Sequence, residues 1–149
     1  MSATMTIEQK TKEAIQQVQK APADEGKRIT RRIEIGHCIH QGDVYLHRVD
    51  DKYPKGKRMG KGSVQIALGV GNGARHIAEG NVEVYQGTQL PEWVSPPMDV
   101  EASEITGPVI VASESFLITH PEHAHHQLPA GTYQTTFQYD PKTMRRVAD

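Results

Sequence analysis

Along the chain the spacing of apolar positions changes once, near residue 28. Before that point Ile7, Thr11, Ala14, Ile15 and Val18 fall at i, i+4, i+7, i+8 and i+11. That is one narrow apolar stripe of helical period. Residues 6–19 hold no Gly or Pro and are rich in Glu, Lys, Gln and Ala, so the pattern predicts a helix there. A helix of about fourteen residues is marginal alone in water and needs a surface to dock on. Residues 20–28 then read as a linker, which makes residues 1–28 a helical arm on a β-domain over 29–149.

After the linker the period becomes two. Strands are predicted at 29–35, 42–49, 63–70, 81–88, 108–120 and 132–140. Val44 and Leu46 share one face of the second, and Tyr133, Thr135, Phe137 and Tyr139 one face of the last. The run beginning at Pro108 is nearly all apolar, as in a strand buried on both faces. Six or seven short strands separated by Gly and Pro predict an all-β fold, a single jelly-roll-like sandwich or barrel. Two long connections interrupt it. Residues 50–62 are basic and glycine-rich, and residues 89–107 hold three prolines and the only tryptophan, Trp93. Long loops in a compact domain usually bind something or are ordered by a partner.

Composition narrows the classes. One cysteine, Cys38, rules out an intrachain disulfide and suits a reducing compartment. No apolar run of about 18 residues is present, so no membrane-spanning helix is expected. The N-terminus lacks the apolar core of a secretory signal, and a virion or the bacterial cytoplasm is the expected location. The net charge of −1 is a cancellation. Residues 1–62 hold 13 Lys and Arg against 8 Asp and Glu, a balance of +5; residues 63–149 hold 4 against 10, a balance of −6. From His76 to Pro141 there is no Lys or Arg. Either opposite charges neighbour each other in the sheet and neutralise locally, or they form separate patches. Separate complementary patches favour head-to-tail association of identical chains. The basic loop with Lys55, Lys57, Arg58 and Lys61 is also a candidate phosphate contact, which makes a nucleic-acid accessory protein a further alternative.

Candidate chemistry concentrates in the histidines. Eight are present, four of them in the heptapeptide His120-Pro-Glu-His123-Ala-His125-His126. Imidazole is the commonest metal ligand, and a strand end carrying several of them is where a β-barrel metal site would sit. His76, at the end of the glycine-rich turn, could join from another strand. The candidate metal ligands are therefore His76, His120, His123 and His125, for a divalent ion such as Zn, Fe, Mn or Ni, with Glu122 or Glu79 as acid or base in an enzyme. The spacing matches neither a zinc finger nor HExxH. No nucleophile elbow or P-loop is present, so catalysis is not the first expectation and no cofactor is required.

With these residues in view, residues 41–149 resemble a loosely defined set of small proteins from bacterial, plasmid and phage genomes. The resemblance rests on Gly42-Asp-Val44, the glycine loop ending at His76, His120-Pro-Glu-His123, Leu128-Pro-Ala-Gly-Thr-Tyr133, Tyr139-Asp-Pro141 and Arg146-Val-Ala-Asp149. It implies a compact β-fold and a mobile-element context, and carries no activity. Similar members have two histidines in the glycine loop, where this chain has Ala74 in the first position. The LPAGTY turn and its nearby histidines are also similar to cupins, without the full cupin motif. The leading expectation is a non-catalytic assembly module, such as a phage capsid decoration or accessory protein. Its expected contacts are Ile7, Ala14, Ile15 and Val18 of the arm, the basic loop and Trp93. A small cupin-like metal-binding protein or enzyme is the alternative.

Overall fold

A computed structural model describes residues 27–67, 75–140 and 145–146 of the chain. The predicted arm, with Ile7, Ala14, Ile15 and Val18, lies outside the described residues. The domain is all-β, as its periodicity predicts. Nine strands form one curled sheet that makes a half-barrel.

The sheet is organised by one long hairpin. β4 (Arg58–Ala67) and β5 (His76–Tyr85) pair antiparallel along their full length. On its other side β5 has two successive partners. Ile77–Glu79 pairs with β7 (Phe116–Thr119), and Val82–Tyr85 pairs with β6 (Thr106–Ala112). Gly80 sits at the division with φ +132°, a conformation that side chains with a Cβ rarely adopt. Two wings diverge from there. One runs from β6 through β9 (Gly131–Phe137) and β3 (Val44–Val49) to β2 (Cys38–Gln41). The other runs from β7 through β8 (His126–Leu128) to β1 (Arg28–Ile29), which pairs parallel to β8. Val44, Leu46, Val84, Ile110, Phe116, Ile118, Leu128 and Tyr133 fill the space between the wings. Phe116 and Tyr133 meet edge to face there, centroids 5.4 Å apart. A separate ribbon pairs β10 (Tyr139–Asp140) with β11 (Arg145–Arg146).

Several expected boundaries move. The 29–35 strand shrinks to β1, and the chain instead forms β2, which lies closer to the Gly42 turn. The 63–70 strand begins at Arg58, so residues 58–62 of the predicted basic loop are strand; residues 68–70 lie outside the described residues. The 81–88 strand begins at His76, because Gly80 and Asn81 bend β5 rather than end it. The 108–120 run is two strands, split at Ser113–Ser115, and β8 is a three-residue strand with too few positions for a period to show. Residues 89–107 hold one helical turn, α1 (Ala102–Ile105).

At one place the segregated charges are neighbours. Lys61 and Glu83 are register partners across β4 and β5, and Arg58 lies 3.5 Å from Glu83. Tyr85 donates to Glu83 at 2.6 Å, and that hydrogen bond, with Arg58 and Lys61 nearby, holds the Glu83 carboxyl below its usual range. The Lys55 ammonium lies 5.1 Å from the centre of the Tyr85 ring. Lys57 is exposed. β4 is the outer strand here, and its three register shifts and basic side chains discourage pairing with another sheet.

Candidate functional site

The two wings meet at one end through polar side chains. The β2–β3 connection is a two-residue turn, with Gln41 paired to Val44. Gly42 is its first central residue at φ +57°, and Asp43 is not left-handed, the pattern of a type II′ hairpin. This tight turn aims the two residues flanking Gly42 at the same target. Gln41 and Asp43 are both buried, and both bond the ring of His76, itself 1% exposed.

The hydrogen bonds fix the roles. The Gln41 amide N–H groups donate to the carbonyls of Ile118, at 3.0 Å, and Ala124, at 2.8 Å. Its Oε1 therefore faces His76 Nδ1 at 2.8 Å, and Nδ1–H must donate. His76 Nε2 lies 3.0 Å from Asp43 Oδ1, with a proton between them. Both ring nitrogens are thus committed, and neither is left as a general base. Because Gln41 belongs to one wing and Ile118 to the other, this constellation closes the half-barrel where no strand ladder does.

The other imidazoles stack on this pair. His120 packs on His76 and on His123, with centroids 4.4 Å apart in both cases. His120 Nδ1 accepts the Glu122 backbone N–H at 3.0 Å, which places the ring proton on Nε2. His125 is buried, and burial holds its pKa down, partly offset by a hydrogen bond to the His120 backbone. So three of the four candidate metal ligands, His76, His120 and His123, converge, and His125 lies buried beside them in sequence. Both ring nitrogens of His76 and Nδ1 of His120 bond protein groups. Among the described residues no group of three or more His, Cys, Asp or Glu side chains stands in an arrangement that could hold a metal ion. Glu122 is exposed, and Glu79 half-buried on β5.

Residues 40–138 match a family described as a domain of unknown function, DUF8820. The chain belongs to that family. Neither the curated proteins nor the solved structures give a match. The DUF8820 region opens one residue before Gln41 and closes one residue after β9, where Gln138 N–H bonds the Asp43 carbonyl at 3.0 Å. It therefore contains every member of the polar closure, while β1 and the β10–β11 ribbon fall outside.

Sequence reasoning singled out the histidines and missed Gln41. Asp43 entered only as part of the Gly42-Asp-Val44 motif. The available signal was the spacing itself, two polar residues flanking a turn glycine. His47 was also missed: it is buried on β3, bonds Thr136 Oγ1 at 2.9 Å, and is held below its ordinary pKa by burial.

Proposed function

We propose that this domain is a non-catalytic assembly module that works through protein–protein contacts, as an accessory or decoration component of a phage particle. The strap between β5 and β6, residues 86–101, carries that reading. Its base is fastened: Tyr53 Oη donates to the Gln89 carbonyl at 2.9 Å, and Pro91 and Val100 are buried. Turns closed by Val94 N–H on Pro91 and Val100 N–H on Pro97 stiffen it. Asp99 holds a left-handed backbone, φ +64°, which Asp tolerates better than most residues. On this anchored strap Trp93 is 47% and Met98 90% exposed. Large apolar side chains held out on an ordered loop suit a surface that another protein covers. Two further points support it. His76, one of the fully buried candidate metal ligands, has both ring nitrogens bonded to protein side chains. The phage context is what the resemblance implies. The nucleic-acid reading has less support, since Lys55, Arg58 and Lys61 lie against Tyr85 and Glu83.

Light scattering on the full chain tests this. The expected result is a species larger than a monomer, with association weakened about tenfold or more by Trp93→Ser with Met98→Ser, the loss of roughly 1.4 kcal/mol of contact. A monomer at every concentration, or a double variant that associates like wild type, would refute the proposal.

A further inference from the structure

Beyond the strap, the open seam of the half-barrel carries chemistry of its own. On one side lies the edge of β2, with Ile39, His40 and Gln41; on the other lie Arg28 of β1 and His126 of β8. His123, from the segment between β7 and β8, completes a cleft of about 520 Å³. We propose that this seam binds a small oxyanion, a phosphate or carboxylate group, between Arg28, His40, His123 and His126.

Three observations point there. First, the lining is one-signed. Its ionisable side chains among the described residues are one guanidinium and three imidazoles, with no carboxylate. The nearest buried carboxylate, Asp43, is bonded to His76. Second, His126 is only 8% exposed, and its Nδ1 finds no hydrogen-bond partner among the described residues. A buried, unsatisfied ring nitrogen at a polar cleft calls for a partner. Third, Arg28 of β1, His40 of β2 and His123 line the same cleft as His126, and these three together with His125 act on it electrostatically. Burial first, then these neighbours, disfavour its charged form. An oxyanion reverses that balance by accepting from the guanidinium and the imidazoles together. A metal cation would meet the permanent charge of Arg28 instead, so the chemistry favours an anion. The parallel register places Arg28 opposite His126, so the guanidinium and the ring arise at the same level of the seam.

The test is an NMR titration of the full chain with inorganic phosphate at low salt and about pH 6, following the histidine ring resonances. Saturable shifts at His126 and His40 are expected. Arg28→Gln and His126→Phe should each weaken binding at least tenfold, while Lys57→Gln, an exposed lysine outside the lining, should leave it unchanged. Arg28 is exposed, so its variant keeps the fold even where the buried His126→Phe does not. Sodium acetate in parallel assigns the class: tighter phosphate means a phosphate group, tighter acetate a carboxylate, and either upholds an oxyanion site. No saturable shift, wild-type affinity in Arg28→Gln, an equal loss in Lys57→Gln, or zinc ions saturating these rings while phosphate does not would each overturn it.

Discussion

Gln41 does with one side chain what a closed barrel does with a strand pair. Its amide spans from the β2 edge to the carbonyls of Ile118 and Ala124, and its oxygen fixes which nitrogen of His76 carries the proton. Buried networks of this kind are favourable when every member is satisfied and costly when one is removed. Gln41→Leu leaves two carbonyls and the His76 Nδ1–H without these bonds. At roughly 1–3 kcal/mol for each unsatisfied buried group, a loss of about 3 kcal/mol or more is expected in urea denaturation. Gln41→Glu is the sharper variant. A carboxylate can accept from His76 but cannot donate to the carbonyls, so it should destabilise nearly as much. A slowly exchanging His76 Nδ1–H proton should persist in the wild type by NMR and vanish in Gln41→Leu. A Gln41→Glu protein as stable as wild type would show that the carbonyl bonds do not matter.

Among the elements, β6 shows why a bulge needs its neighbours. Its register on β9 shifts between Thr106 and Val109, which takes the carbonyls of Gly107 and Pro108 out of the regular ladder. Side chains of β9 recover both: Gln134 Nε2 donates to Gly107 at 2.7 Å, and Thr135 Oγ1 to Pro108 at 2.6 Å. Gly107 is required by crowding rather than by backbone freedom. A Cβ there would collide with Thr135 Oγ1 and lie 2.8 Å from Phe137 Cζ. Gly107→Ala should therefore cost about 1–3 kcal/mol by overpacking, read as a lower midpoint in thermal denaturation. An unchanged midpoint would mean that β9 shifts freely. These strands also show what the sequence could tell. β3 and β9 each alternate over six or more residues, and their places were legible. β5 was hidden because Gly80 and Asn81 look like a turn, whereas paired partners on both sides carry the strand through. The break at Ser113–Ser115 left a visible polar triplet inside an apolar run, and the run outweighed it. The histidines stood out by number. Their convergence depended on β5 having two partners, which no local pattern encodes, and Gln41 became distinctive only once buried.

For the whole molecule, the polar end of the half-barrel makes stability depend on acid. Burial and the surrounding Arg28, His40, His125 and His123 push the His126 pKa down to about 4, from an ordinary 6.5. His47 and His125 are shifted in the same direction, chiefly by burial. Between those limits the unfolded chain binds a proton that the folded chain resists, so stability rises with pH through this window. The contribution is fully present above about pH 6.5, falls as pH drops toward 4, and changes no further below. For His126 alone the loss amounts to about 3 kcal/mol, at roughly 1.4 kcal/mol for each tenfold change in proton affinity. Urea denaturation at about pH 7.5, 6 and 4.5, in buffers free of phosphate and carboxylate, should show the midpoint falling steadily. His126→Gln, which cannot take up the proton, should flatten the slope between the two lower points while keeping the contributions of His47 and His125. A midpoint independent of pH across this range would mean that the imidazoles reach water in the folded protein, and an unchanged slope in His126→Gln would assign the effect to the other histidines.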